Sequence, residues 1–537
     1  MKKSEPSLLR AAGLIAAVTI VSKLLGAVRD WQIVHVYGAS MVSDAYLAAA
    51  QLPSFAIVLL GGLGGPFHTA TVAIFTSLIP KDSIRAPETA QKLASVFMTL
   101  TAIAGLVLSL GVTFFSLPLM QILLPGADVT LISSAAAQLQ IMSPVILIGS
   151  LVGIFYGLLN VYQSFLWPSL SPAILNITMI LTLCLSPHDP TGQILAWATL
   201  GGAFGQFLCQ LPEFFRRGFS LKPSFAWRDT PEMKQLGEIL FPAIVGTTIG
   251  QLITYVDMFF TSMLPVGGWT AVTLSNRLLQ LPIGVLQTAL LVPIFPRFTR
   301  CVADQDWDEL RRLFKLGVIS LWFISIPMLV IMLMYGENTI RIIFQHGEFT
   351  SGATQMVTLA LVFQAFQMLP YFARDTLTRV FYAFGDAKTP LTVGLIAIGL
   401  KALLDWWLIG PFGVGGITLA TTLITTINML ILSLMMRKHF AHLRMHQLIP
   451  AFGKLLVAGI LMGGCILLLQ QVETTLLGLP LNAKLPVWQE IGRLTLNSLL
   501  SLGAYLAGCW LLRIPETSYL FERLSFLSFM PNRTKEN

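Results

Sequence analysis

The sequence predicts an all-α polytopic membrane protein with fourteen transmembrane helices, arranged as two six-helix lobes in parallel repeat plus two extra C-terminal helices. Three observations carry this. The 537 residues are 55% hydrophobic and only 11% charged, whereas soluble domains carry about 25% charged residues. Apolar runs of the roughly 20 residues needed to cross a bilayer recur along the whole chain. When these runs are numbered, the lysines and arginines collect on alternate connections.

The runs lie near 8–36, 43–79, 90–115, 130–158, 165–186, 191–215, 237–263, 270–298, 312–334, 352–384, 389–410, 413–436, 450–471 and 488–512. The first has the basic flank and apolar core of a signal peptide, and "AAA" at 48–50 mimics a cleavage site. Charges follow that core at once and many apolar runs come later, so the first run is read as an uncleaved span. The second and tenth are long enough to tilt, kink or extend beyond the bilayer, and "GGLGGP" (Gly61 to Pro66) predicts a break in the second. With an inside N-terminus, 27 of the 34 Lys and Arg fall on inner segments, and the outer loops hold only Arg341 and Lys484. One missed helix would scramble this pattern. Both termini are therefore placed in the cytoplasm. The net charge of +8 follows from topology and gives no reason to expect nucleic acid as a partner. Cys184, Cys209, Cys301, Cys465 and Cys509 are scattered and form neither a disulfide framework nor a metal motif.

A repeat supports the lobes. "QLP" at 51–53 returns at 280–282, each time in the second helix of a six-helix set, and "YQSFLWP" (162–168) and "FGDAKTP" (384–390) each join a fourth helix to a fifth. Six is even, so both sets have the same orientation, with substrate held between them. The domains are read as 1–220 (spans 1–6), 221–445 (spans 7–12), 446–514 (spans 13 and 14) and a cytoplasmic tail at 515–537.

The spans contain charges that need a reason. "SKLLGAVRDWQ" (Ser22 to Gln32) puts Lys23, Arg29 and Asp30 inside span 1, and "LSNRLLQLP" puts Arg277 inside span 8. Arg29 and Arg277 are expected at similar depth in the outer half of opposite lobes, with Lys23 about 9 Å deeper by helix rise. Each costs about 2.5–3.5 kcal/mol to insert. One reading is local pairing with Asp30 or Asp44; the other is a water-filled cationic cavity. The acids nearby are too few for all three cations, which favours the cavity. Arginine's planar fork suits phosphate oxygens and lysine adds a point charge, so an anionic head group is the expected guest.

A second cluster lies in spans 7 and 11. Asp257 and Asp405 are expected at one depth, and Lys401 is four residues before Asp405 on the same helix face. Buried carboxylates suggest a proton or cation site; a structural Lys401–Asp405 pair is the alternative. "HFAHLRMH" (His439, His442, His446) is read as a basic inner loop, and Trp31, Trp269, Trp406 and Trp407 as an interfacial belt. No HExxH, GxSxG or P-loop is present, and no nucleophile or DDxxD-like acid cluster accompanies the cations. The chain is read as a transporter rather than an enzyme.

"SKLLGAVRD", "SDAYLAAAQLP" at the start of span 2, "NRLLQLPIGVLQTALLVPIFPRFTR" in span 8 and "RVFYAFGDAKTP" joining spans 10 and 11 resemble the MurJ/MviN lipid II flippases of the multidrug/oligosaccharidyl-lipid/polysaccharide exporter superfamily. The resemblance covers essentially the whole chain. It implies a twelve-helix, two-lobe core with alternating access. Its cargo would be lipid II, an undecaprenyl pyrophosphate-linked peptidoglycan precursor, moved from the inner to the outer leaflet of the bacterial plasma membrane. It implies Lys23, Arg29 and Arg277 as cavity cations, with Asp30 and Asp44 as the matching acids. Spans 13 and 14 would form a groove for the prenyl tail; Gly459, Gly463 and Gly464 would permit close approach of a chain or simply pack helices.

Two departures stand out. The family often has paired arginines and an acid after the "LPN" of span 2; here Ile57, Val58 and Gly62 stand there. Some members bind sodium at positions matching Asp257, Lys401, Asp405 and Thr421, but Lys401 replaces an asparagine. An ammonium there would repel Na⁺ and balance the acids itself, so no sodium requirement is expected. Membrane potential or protons remain as drivers, with no cofactor and no metal. Lipid II and membrane lipids are the expected partners of a monomer. The alternatives are a flippase for another polyprenyl-linked glycan and, less favoured by a basic cavity, a cation-coupled drug exporter.

Overall fold

The computed structural model describes residues 5–61, 65–80, 83–186, 189–227, 230, 232–439, 448–477 and 486–513. They form nineteen α-helices and two π segments, with no strand among the described residues. Every one of the fourteen predicted runs is helical, and four are broken. Run 2 is α2 (Met41–Ala56), a π segment at Ile57–Gly61 and α3 (Pro66–Leu78), with the break inside "GGLGGP". Run 4 is α6 (Val129–Met142) and α7 (Pro144–Val161). Run 8 is α11 (Gly268–Leu286), a π segment at Gln287–Leu291 and α12 (Val292–Ala303). Run 10 is α14 (Ser351–Ala365) and α15 (Met368–Ala383), bent by 45°. Pro66 and Pro144 open new helices because proline lacks an N–H and fits the first turn.

Among the described residues, eleven helices are long and apolar enough to cross a membrane, or twelve if α14 and α15 are one span. This is fewer than the fourteen predicted. The two predicted runs outside this set are run 1, which is α1 (Glu5–Tyr37), and run 8. In run 8 the reason is local: α11 spends Asn276, Arg277 and Gln280 of its 19 residues on polar side chains and then ends in the π segment.

The chain packs as two units, Met1–Ala271 with Phe344–Ala353, and Val272–Ile343 with Thr354–Asn537. In the first, α8 (Leu166–Leu185) lies against both α1 and α9 (Gln193–Arg216), and α7 against α3, α9 and α4 (Glu88–Phe114). Stacked rings of Phe155 and Phe214, 4.3 Å between centroids, join α7 to α9. Helix α10 (Glu232–Thr261) packs on α3, α4 and α5 (Ser116–Leu123) in this unit. The segment Phe344–Ala353 sits at the end of α1, where the Glu348 N–H donates to the His35 carbonyl at 3.0 Å. Gly347, at φ +62°, makes this fit possible: a Cβ there would lie 2.2 Å from the His35 oxygen.

The second unit is built on α13 (Trp307–Phe344). Trp322 donates its indole N–H to the Leu369 carbonyl at 2.9 Å, satisfying an acceptor beside the bend between α14 and α15. The Tyr505 hydroxyl donates to Phe323 O at 2.9 Å, tying α19 (Val487–Leu511) to α13. Helix α18 (Ile449–Leu477) approaches α13 through Gly459, whose Cβ would meet Ile326 Cγ2 at 2.7 Å, while Gly464 faces nothing within 4 Å. Gly459 therefore packs helices.

Leu106, Val107 and Leu110 on α4, and Leu403, Trp406 and Trp407 on α16 (Lys388–Phe412), stay exposed, as lipid-facing residues do. The predicted tryptophan belt is only half seen: Trp269 is 7% exposed, and Trp31 is half-buried and stacked on His35. Of the histidine-rich stretch, 440–447 lies outside the described residues, as does the tail from 514 onward.

Candidate functional site

Helix α1 presents Lys23, Arg29 and Asp30. The Arg29 Nε and Nη2 donate to Asp30 Oδ1 at 3.0 and 2.8 Å, and Nη1 donates to Asn176 Oδ1 on α8 at 3.1 Å. Asn176 Nδ2 in turn donates to the Ser22 carbonyl at 3.1 Å, so the amide is fixed between the two helices. The Arg29 side chain keeps 21% exposure. Lys23 is exposed and makes no ion pair with a described residue. Local pairing therefore accounts for Arg29, with Asp30 as its carboxylate. Arg29 is paired locally yet reachable, and Lys23 is an open cation. On α11, Arg277 is half-buried between exposed Asn276 and exposed Gln280.

Asp44 is used differently from the cavity acid expected. It is 5% exposed, and its carboxylate accepts the Gly267 N–H at 2.6 Å, the Thr270 N–H at 2.8 Å and the Thr270 hydroxyl at 2.6 Å. It satisfies the first turn of α11, whose N–H groups have no partner within the helix. A negative group is also favoured there by the helix dipole.

Lys401 and Asp405 form an ion pair of 2.5 Å with neither side chain exposed. Lys401 Nζ also lies 3.4 Å from the Ile417 carbonyl of α17 (Val414–His439), which accepts from the Thr421 hydroxyl at 3.0 Å. Three of the four predicted ion-coupling residues therefore meet across α16 and α17, with an ammonium already in place. Asp257 is half-buried on α10, in the first unit.

Two groups escaped the sequence reading. Arg374 and Arg379, two of the 27 cations placed on inner segments by the positive-inside rule, lie within α15 beside Asp375. The signal was present, as three charges within six residues of an apolar run. The second group joins α13, α18 and α19: Arg341 pairs with Glu490, which also accepts from Asn338 at 3.2 Å, and Glu473 accepts from Arg493 at 2.6 Å and Asn497 at 2.9 Å. Among the described residues no cluster of His, Cys, Asp and Glu is arranged to hold a metal ion.

Membrane-length helices recurring along the chain, with charges held between them, define a polytopic membrane protein. The fold matches that of a solved transporter of the MOP superfamily: an inward-facing multidrug resistance MATE family transporter aligns at TM-score 0.63 and 14% identity, over 80% of this chain and 98% of that one. A structure of lipid II flippase MurJ in an inward-closed conformation aligns at TM-score 0.76 and 21% identity, over 93% and 98%. The family model for lipid II flippase MurJ matches residues 33–482, and the chain belongs to that family. Similar proteins include the probable lipid II flippase MurJ of Synechocystis, 32% identical over 84% of this chain and 86% of that protein. That of Vibrio cholerae is 27% identical over 93% and 95%.

Proposed function

We propose that the protein carries lipid II from the inner to the outer leaflet of the bacterial plasma membrane by alternating access, supplying cell-wall synthesis. The observation that carries this is the set of cations kept inside helices of a MurJ-family chain: Lys23 and Arg29 on α1 and Arg277 on α11. Ionisable residues within membrane helices mark substrate pathways in membrane proteins. In the proposed cycle the head group enters between two six-helix lobes, spans 1–6 and 7–12, while the tail stays in lipid. Lys23, Arg29 and Arg277 bind the pyrophosphate. Neutralising these charges lets the inner side close and the outer side open. The membrane potential returns the empty cationic site, at about 2.3 kcal/mol per charge per 100 mV. The full topology of this reading is fourteen spans with both termini cytoplasmic, in a monomer.

No sodium requirement is proposed, because the Lys401 ammonium lies on Asp405 where a metal cation would sit. Transport that falls about tenfold when Na⁺ is removed at fixed potential would overturn this, since cation linkage acts only through a site that binds.

The test is rescue of a bacterium depleted of its own lipid II flippase, scored as lipid II exposed on the outer leaflet. Wild type, Arg29→Ala and Arg277→Ala are compared at matched levels of folded protein. Rescue by wild type alone is expected. Full activity of both variants refutes the cationic site. Failure of well-expressed wild type moves the assignment to another polyprenyl-linked glycan, a reading favoured by Ile57, Val58 and Gly62 in place of the family's charged trio.

A further inference from the structure

Helix α15 is two-faced. Met368, Phe372, Thr376, Leu377 and Val380 on one side are buried in their own unit. Tyr371, Arg374, Asp375, Thr378 and Arg379 are half-buried and Tyr382 is exposed, at spacings that place them on the other side. A stripe with three charges in a membrane helix does not face hydrocarbon; it lines a polar space.

The charges on the stripe are not balanced. Asp375 Oδ2 accepts from Gln287 Nε2 at 3.1 Å and from Arg379 Nε at 3.2 Å, so it is held by two donors. Arg374 has no carboxylate: its guanidinium lies 4.7 Å from the centroid of the Tyr371 ring, and no described residue accepts a hydrogen bond from it. Stacking fixes the guanidinium plane and leaves its N–H fork available to a bidentate anion. Gln287 opens the π segment that interrupts run 8, a feature common at functional sites. Arg277 lies ten residues earlier on that helix, about 15 Å along the axis. Exposed Gln280 and Thr288 lie along this stretch. One polar track in the second unit therefore has a guanidinium near each end.

We propose that Arg374, stacked on Tyr371 and flanked by the Arg379–Asp375–Gln287 network, is a second anion station, which holds the diphosphate of a lipid-linked substrate before it passes along α11 to Arg277. This rests on the transport reading above. Arg379 and Asp375 are positioning residues; the Arg374 fork makes the contact.

The test uses the full chain in lipid nanodiscs, titrated with undecaprenyl diphosphate, with phosphatidylglycerol retention read in parallel by native mass spectrometry. Arg374→Gln is expected to weaken undecaprenyl diphosphate binding about tenfold, the loss of one charge-assisted fork. Phosphatidylglycerol retention should not change. Arg374→Lys, which keeps the charge and loses the fork, should fall between wild type and Arg374→Gln. Arg374→Gln combined with Arg277→Ala should bind more weakly than either alone. Unchanged diphosphate binding in folded Arg374→Gln overturns the proposal. A loss confined to phosphatidylglycerol also overturns it, assigning the stripe to bulk lipid. If wild type fails the rescue assay but Arg374→Gln still loses diphosphate, the transport reading falls and the anion station stands.

Discussion

Lys401→Asn is the most informative perturbation, because it removes one half of a buried pair and installs the family's alternative. Both side chains have zero exposure and meet at 2.5 Å. At that distance, in an effective dielectric of about 20, the Coulomb attraction is about 7 kcal/mol before desolvation is set against it. Losing one partner of such a pair typically costs about 3–5 kcal/mol. The assay is thermal unfolding of the purified protein in equimolar NaCl or KCl. Wild type should melt at the same temperature in both. Lys401→Asn should melt several degrees lower in KCl and recover part of the loss in NaCl. A cation at about a hundred times its Kd returns about 2.7 kcal/mol. Replacing both partners with apolar residues should cost less than Lys401→Asn, since no charge is then left behind. Sodium stabilisation of wild type, or a Lys401→Asn variant as stable as wild type, would refute the reasoning.

Other outcomes follow from single contacts. Asp44→Ala removes the carboxylate that accepts three hydrogen bonds at the start of α11 and should lower stability by about 1–3 kcal/mol, read by the same melt. Asp189, in the loop before α9, has a depressed pKa. Burial alone would raise it, but hydrogen bonds from the Thr191 hydroxyl and the Ile194 and Thr191 N–H groups outweigh burial. A depressed carboxylate adds stability that is present above the ordinary Asp value and is lost as pH falls through the folded value. The melting difference between wild type and Asp189→Ala should therefore be full near neutrality and shrink in acid; a constant difference would refute the assignment.

The runs of hydrocarbon were easy to read and the partners of the charges were not. Run 6 was placed at 191–215 and α9 spans Gln193–Arg216, because length and hydropathy alone decide such a helix. The Lys401–Asp405 pair was visible as a four-residue spacing. Asp44 was recognisable as an intramembrane acid, but its donors at Gly267 and Thr270 lie more than two hundred residues away, and nothing local announces them. Arg29 was weighed against Asp30 and Asp44; it pairs with Asp30, and its second partner proved to be Asn176, a neutral amide on another helix. Arg374 was counted only as an inner-side charge, because a positive charge near a span end satisfies the inside rule equally well from a loop or from a helix face.

The junction between α1 and the 344–353 segment is written in main chain, through the Glu348 N–H and the His35 carbonyl. Its chemistry is therefore nearly blind to which side chain occupies 348. By this contact alone the position accepts any residue but proline, which lacks the N–H. Its neighbour Gly347 has no such freedom, because its positive φ and the 2.2 Å gap exclude every residue with a Cβ. Two adjacent exposed loop residues thus carry opposite steric constraints, one tolerant and one fixed.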